Sequence, residues 1–310
     1  MVATRRFRLL VAVTAISGYL QISLGGLVRV SGSGLGCPDW PTCYGRPYPP
    51  ADLHAIIEYS HRANGALFGL LVILTVVAGL WIHRGRRTPV TWLTFATLAT
   101  VVGEGLLGWQ VVHNLLAPVL VLVHLAIALL ILALMVAIYI LSAPAAAAFG
   151  DRGFARLAGI AAVLTYLMLL TGSSVVASHA DDVCHAWPLC GNGLAFDFNG
   201  LAAFAMLHRL TVGVVVLLLG HLLVTALRRH RGFRGVRTIA TGTLVLLALQ
   251  VTLGALAALI HDSAVVQGAH LVVASAIWAG VVAIAVITLR SGPAPVRDDA
   301  RMASLERRPA

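Results

Sequence analysis

Four histidines stand inside apolar stretches of this sequence, at positions where an imidazole could bind a metal. They are His61, His124, His208 and His270. A histidine is costly inside a membrane and usually marks a functional site. Two such side chains on facing helices at one depth could hold the iron of a planar macrocycle from both sides, as bundle proteins hold haem. We interpret the four residues as two ligand pairs, against the alternative that each only makes a helix–helix hydrogen bond.

These histidines recur because the chain repeats itself. A shift of 147 residues takes His61 to His208, and a shift of 146 takes His124 to His270. The run Cys-Pro-Asp-Trp-Pro-Thr-Cys at 37–43 returns as Cys-His-Ala-Trp-Pro-Leu-Cys at 184–190. Each copy holds four apolar spans, an even number, so both copies have the same orientation in a membrane. The sequence therefore predicts a parallel repeat with one histidine pair in each half.

Charged side chains lie beside the first histidine of each pair. Glu58 precedes His61 by three residues on the same helix face, so its carboxyl can lie beside the edge of a macrocycle and exchange a proton there. Its counterpart in the second half is Ala205, so only the first site is predicted to do chemistry; the alternative is a carboxyl that serves packing alone. Arg62 and Arg209 are candidate partners for haem propionates, unless each guanidinium reaches the lipid headgroups instead.

A second acidic residue distinguishes the halves. Glu104 lies in the third apolar span, and its counterpart in the seventh span is Gln250. Both side chains can bridge neighbouring helices by a hydrogen bond. We predict that structural role for both of them.

The elements that position these residues are predicted to be membrane helices. The chain is 59% apolar and 11% charged, whereas a soluble domain carries about 25% charged residues. Its net charge of +10 is spread in short arginine clusters between apolar runs, not on one basic face, which argues against nucleic-acid binding. We predict an all-α integral membrane protein of eight transmembrane helices in two pseudo-symmetric four-helix bundles. The predicted spans are about 9–29, 55–82, 89–112, 116–142, 157–177, 201–227, 238–260 and 264–289.

The distribution of charge predicts the orientation. Arginines cluster before the first span, in three short links and in the tail, whereas the two long links at 30–54 and 178–200 carry five aspartates and one arginine. With eight spans, all the clusters share one side, and the positive-inside rule places both termini in the cytoplasm. The predicted parts are an N-terminal repeat at 1–143, a cytoplasmic linker at 144–156, a C-terminal repeat at 157–290 and a disordered tail at 291–310.

All four cysteines lie in the two long links that are predicted to be outside. Cys37 and Cys43 have five residues between them, as have Cys184 and Cys190. Because the outside is oxidising, we predict one disulfide in each link. Four reduced thiols remain an alternative, and a zinc site is disfavoured because neither pair has the short C-x₂-C spacing.

The first long link and the second span together resemble the haem A synthase family in its bacterial, eight-span form. The matching motifs are Gly25-Gly26-Leu27-Val28-Arg29, Ser33-Gly34-Leu35, Cys37-Pro38-Asp39-Trp40-Pro41-x-Cys43 and Glu58-x-x-His61-Arg62. The four histidine positions match as well, so the likeness covers all eight spans.

This resemblance implies an activity. Members oxidise the C8 methyl of haem O to a formyl group, by successive hydroxylation and loss of water, and so supply haem A to cytochrome oxidase. It implies that His208 and His270 bind the iron of a haem b cofactor. It implies that His61 and His124 bind the substrate haem and that Glu58 is catalytic. The expected surroundings are the bacterial cell membrane, haem O synthase, cytochrome oxidase assembly factors and an electron donor that the sequence does not identify.

The residues alone leave other functions open. A transmembrane di-haem b electron-transfer cytochrome would explain the four histidines but not Glu58, and its haems would lie near opposite membrane faces. A thiol–quinone oxidoreductase would use outer cysteines, but it needs no deep histidine pairs and typically carries C-x-x-C. A transporter with parallel repeats would more often show broken helices near the midplane.

Overall fold

The chain folds into long α-helices joined by short links and two longer loops. The computed structural model describes residues 2–83, 88–144, 149–190, 194, 196–260 and 263–290. Within these ranges the helices are α1 (Val2–Val30), α2 (Leu53–His83), α3 (Pro89–His113), α4 (Pro118–Leu141), α5 (Arg152–Ala177), α6 (Ala202–Arg229), α7 (Arg234–Leu259) and α8 (Ala264–Leu289). A short 3-10 turn, Ala180–Val183, lies in the second long loop.

Eight helices in the described part of the chain are long and apolar enough to cross a bilayer. Their candidate spans have 24 to 30 residues, which at about 1.5 Å per residue exceeds the roughly 30 Å hydrocarbon core. Their outward surfaces carry large apolar side chains such as Trp81 and Leu217, as contact with lipid requires. The predicted all-α membrane protein of eight spans is confirmed.

Two helices begin five or more residues before the predicted spans. The helix α1 starts at Val2 instead of near residue 9, and α5 starts at Arg152 instead of near residue 157. At α5 the carboxylate of Asp151 accepts a hydrogen bond from the backbone N–H of Phe154 at 2.9 Å, so the helix is capped before its apolar run begins. The arginines at 84, 86 and 87 and the predicted disordered tail at 291–310 lie outside the described residues.

The helices of each half pack in the same order. In the first half α1 and α3 each pack against both α2 and α4, and in the second half α5 and α7 each pack against both α6 and α8. The helices that carry paired histidines, α2 with α4 and α6 with α8, therefore occupy opposite corners of a four-helix arrangement. This order is consistent with the two equivalent bundles that the repeat predicts.

The apolar cores fill the end of each half that lies away from the long loops. One cluster includes Phe7, Phe68 and Met135, and the other includes Phe154 and Leu222. The histidines lie near the opposite ends of their helices. Each half thus combines a closely packed apolar end with a polar end beneath its loop.

The two halves are joined along α1, α4, α5 and α8. Three aromatic side chains donate hydrogen bonds to backbone carbonyls across this boundary: Trp278 to Leu129 at 2.9 Å, Tyr19 to Val272 at 3.0 Å and Tyr166 to Ala126 at 3.1 Å. Buried donors in lipid need such partners. The halves are therefore held in a fixed relation by polar as well as apolar contacts.

Candidate functional site

The four predicted ligand histidines lie at matching depths. His61 stands eight residues after the start of α2, and His124, His208 and His270 each stand six residues after the starts of α4, α6 and α8. At about 1.5 Å per residue, each ring lies roughly 9–12 Å from the loop end of its helix. Both histidine pairs are therefore on the same side of the protein, beneath the long loops.

The structure brings the histidines together in the predicted pairs. His61 and His124 are close enough to interact electrostatically, as are His208 and His270. The Nδ1 atoms of His61 and His270 are buried and have no hydrogen-bond partner, and that of His124 lies 3.1 Å from the carboxyl group of Glu104. A buried polar nitrogen without a partner is rare and calls for an explanation such as an absent ligand. His208 differs, because its Nδ1 lies 3.0 Å from the hydroxyl of Thr171.

A glycine on the preceding helix lies against each of the four rings. If each glycine carried a Cβ, the distance from that atom to the ring Cε1 would be 3.1 Å for Gly25 and His61, 3.4 Å for Gly108 and His124, 2.9 Å for Gly172 and His208, and 3.1 Å for Gly254 and His270. A side chain at Gly25, Gly172 or Gly254 would press on the imidazole, whereas one at Gly108 would only touch it. The rings therefore rest directly on helix backbone, in an arrangement that recurs four times.

Glu58 and Arg62 form a buried ion pair that holds the first long loop onto α2. The Oε1 atom of Glu58 lies 2.5 Å from Nη2 of Arg62, and its Oε2 atom accepts the backbone N–H of Cys37 at 2.8 Å. Arg62 also donates to the carbonyl oxygens of Cys37 at 2.9 Å, Asp39 at 2.5 Å and Thr42 at 2.8 Å. Both carboxylate oxygens of Glu58 thus already have hydrogen-bond donors.

Arg209 makes the equivalent contacts in the second half. Its Nη2 donates to the carbonyl of Cys184 at 2.8 Å and its Nη1 to that of Ala186 at 2.7 Å. Because Ala205 replaces Glu58, Arg209 has no carboxylate at the matching place. The four Nη hydrogens of Arg62 all have acceptors, so a propionate there would have only its Nε–H. Arg209 keeps more donor capacity for a propionate.

Each long loop is closed by a disulfide. The structure joins Cys37 to Cys43 and Cys184 to Cys190, with all four side chains buried. At the tip of the first loop, the Asp39 carboxylate accepts hydrogen bonds from the Thr42 hydroxyl and from the backbone N–H of Gly45 at 2.9 Å. These bonds hold the pKa of Asp39 below its usual range. The loop therefore has a defined shape above the first histidine pair.

A cluster of amide side chains lies beside His61, whereas the described residues of the second half place only the hydroxyls of Thr171 and Thr211 beside His208. Gln21 Nε2 is 3.3 Å from His61 Nε2, and Asn64 Nδ2 donates to Gln21 Oε1 at 2.8 Å and to the carbonyl of Ser17 at 3.1 Å. The shift of 147 residues replaces Ser17, Gln21 and Asn64 by Leu164, Met168 and Thr211. Sequence reasoning missed this cluster, although three polar residues in the apolar spans of one copy alone could have revealed it.

Known proteins match the chain over nearly its whole length. A family model described as cytochrome oxidase assembly protein matches residues 8–55 and 51–282. A haem A synthase of Symbiobacterium thermophilum is 30% identical, over 88% of this chain and 92% of that protein. One of Alkalihalophilus pseudofirmus is 28% identical, over 74% of this chain and 80% of that protein. One of Geobacillus kaustophilus is 25% identical, over 94% and 95%.

This chain belongs to the haem A synthase family. Membership implies an oxidoreductase that acts in haem A biosynthesis, and a protein that binds haem. The residues present fit a haem: the histidines lie at matching depths on opposite helices of each half, the Nδ1 atoms of His61 and His270 are buried without a partner, and a glycine lies beside each ring. Within the described residues no group of three or more metal-binding side chains converges on one point.

The glycine beneath His208 gives a test of this arrangement. In Gly172→Ala the new methyl would stand 2.9 Å from the ring and displace it. Overpacking of this kind costs about 1–3 kcal/mol, so we expect haem affinity at the second site to fall about five- to 150-fold. The measurement is haem titration of the purified protein. Gly213→Ala on α6, the helix that carries His208, is the control and should bind normally, because an added Cβ there meets nothing within 4 Å. Equal affinities in the two variants would contradict the close contact.

Proposed function

We propose that this protein is a haem A synthase that oxidises the C8 methyl of haem O to a formyl group and so provides haem A for cytochrome oxidase. The observation that carries the proposal is the pairing of four histidines in two equivalent sites with a buried carboxylate, Glu58, beside only one of them. The reaction itself is taken from the haem A synthase relatives. Successive hydroxylation of the methyl and loss of water is the proposed route.

The two halves have different roles in this proposal. His208 and His270 bind the iron of a haem b cofactor, which when bound supplies electron-transfer chemistry. The apolar Met168 and Leu164 and the hydroxyl of Thr171 beside His208 Nδ1 suit a permanently held haem whose substituents are not modified. A hydrogen bond to the ring nitrogen that does not bind the metal fixes the orientation of a ligand histidine.

The first half is the proposed substrate site. His61 and His124 bind haem O, and the acid beside them is Glu58. Its carboxylate is held by Arg62 and by the backbone of Cys37, yet each oxygen retains a second lone pair. Glu58 can therefore exchange a proton at its carboxyl oxygen while it stays anchored. The polar cluster around Gln21 gives this half amide side chains where the second half has Met168 and Thr211.

The proposed location is the bacterial cell membrane, with both termini in the cytoplasm and both disulfide loops outside. The arginine clusters support this orientation, and so do the two disulfides, since such bonds persist on the oxidising side. The proposed division of the chain is 1–143 for the substrate half and 157–290 for the cofactor half. Haem O synthase, assembly factors of cytochrome oxidase and a separate electron donor are the proposed partners.

The disulfide assignment has a direct check. Non-reducing peptide mapping of protein purified from membranes should recover one bridge between Cys37 and Cys43 and another between Cys184 and Cys190. The expectation follows from their proposed outside location and from buried sulfur atoms that already lie in bonding contact. Four alkylatable thiols, or bridges between the two loops, would show that this assignment is wrong.

Extraction of the bound haem tests the proposed function. A haem A synthase purified from its membrane should yield haem b together with haem O or haem A. Haem b alone would favour the di-haem electron-transfer cytochrome, which needs the same histidines but no substrate. Protein that is folded by its circular dichroism spectrum and free of haem would contradict both functions.

A further inference from the structure

Glu104 and Gln250 hold equivalent places in the two halves, and each contacts the second histidine of its own half. Glu104 on α3 places Oε1 3.1 Å from Nδ1 of His124 on α4. Gln250 on α7 places Nε2 3.2 Å from a ring nitrogen, Nε2, of His270 on α8. A shift of 146 residues relates the two pairs. The halves therefore differ by a carboxyl group beside Nδ1 of His124 against a carboxamide beside Nε2 of the equivalent His270.

The surroundings of Glu104 direct its carboxyl group to that histidine. Its side chain is 14% exposed. Its Oε1 atom lies within ion-pair distance of His124, at 3.1 Å from Nδ1, and within the described residues neither oxygen has another polar partner. A carboxyl group within a membrane span is expensive and is retained for function. The contact with the His124 ring offsets the free-energy cost of placing the carboxyl group there.

From this contact we infer that Glu104 is a positioning residue for His124, a role that rests on the proposed function of the first half. With haem bound, the Glu104 carboxylate would accept the Nδ1–H of His124 across the 3.1 Å contact and so leave Nε2 as the nitrogen for iron. A carboxylate in this role fixes the ring and makes it a stronger electron donor than a carboxamide does. A stronger donor stabilises ferric iron relative to ferrous iron. The haem at the first site should therefore have a lower reduction potential than the haem at the second site.

An exchange of the two side chains tests this role. Glu104→Gln makes the first half like the second, and Gln250→Glu makes the second half like the first, with little change in volume. The readout is an optical redox titration of the full-length protein with its haems bound. In Glu104→Gln the ferric-to-ferrous ratio of the first-site haem at a fixed potential should fall about tenfold, which is an upward shift of about 59 mV. The second-site haem of the same variant is the internal control and should not change.

The reverse variant keeps the test decisive if Glu104→Gln does not retain haem. Gln250→Glu should raise the ferric-to-ferrous ratio of the second-site haem by a similar factor. Full haem content with unchanged ratios in both variants would overturn the role of Glu104 alone. Wild-type protein without haem at the first site would instead contradict the proposed function, and the inference with it.

Discussion

Replacement of His208 or His270 by alanine should abolish the low-spin spectrum of haem b. The two rings lie at matching depth on opposite helices of the second half, and each rests on a glycine of the preceding helix. Iron held by two imidazoles is low-spin, so the loss of either ligand changes the spin state even where some haem stays bound. We expect near-complete loss of the bis-histidine spectrum in each single variant and of the haem itself in the double variant.

The measurement is the optical and electron paramagnetic resonance spectrum of protein purified in detergent. His221→Ala is a matched control, because His221 lies on the same helix as His208 and its side chain is exposed on the helix surface. It should keep the wild-type spectrum. A normal low-spin bis-histidine spectrum in both His208→Ala and His270→Ala would show that the cofactor lies elsewhere.

The eight spans were predictable because a membrane imposes a simple constraint on sequence. Each span needs about 20 apolar residues, and the positive-inside rule separates the arginines from the aspartates. The ends of the helices were less predictable, since α1 and α5 continue into polar segments where lipid sets no limit. The cap at Asp151 is a local signal that marks the start of α5 more accurately than hydropathy does.

The candidate ligands were predictable from the repeat, whereas their surroundings were not. A matching histidine in each copy shows that a position is reused, but Gly172 and Gln21 matter only because another helix brings them against a ring. The largest difference concerns Glu58. Spacing alone placed its carboxyl beside the macrocycle edge, and the structure shows both oxygens engaged by Arg62 and the backbone of Cys37. That contact depends on how the loop folds back over α2, which no local pattern encodes.

These contacts sharpen what substitution of Glu58 can show. The residue should be needed for turnover but not for haem b binding, because the second half has Ala205 at the equivalent place. In Glu58→Ala, however, the backbone N–H of Cys37 and the guanidinium of Arg62 both lose a partner. A loss of activity in this variant could therefore come from a displaced loop. Glu58→Gln separates the two effects. Its amide oxygen can still accept the Cys37 N–H, but the side chain has no charge and can no longer act as an acid or base.

We expect both Glu58→Ala and Glu58→Gln to keep the haem b spectrum, to accumulate haem O or a hydroxylated intermediate, and to form haem A at least about 100-fold more slowly. The size follows from the roughly 10²–10⁴-fold contribution of a positioned acid or base. The measurement is chromatography of the extracted haems, with mass-spectrometric mapping of the Cys37–Cys43 bridge to establish that the loop is intact. A Glu58→Gln protein that makes haem A at the normal rate, alongside an inactive Glu58→Ala, would reassign Glu58 to holding the loop. The chemical asymmetry of the two halves would then have to come from the Gln21 cluster and Glu104, the remaining polar groups of the first half that face its histidines.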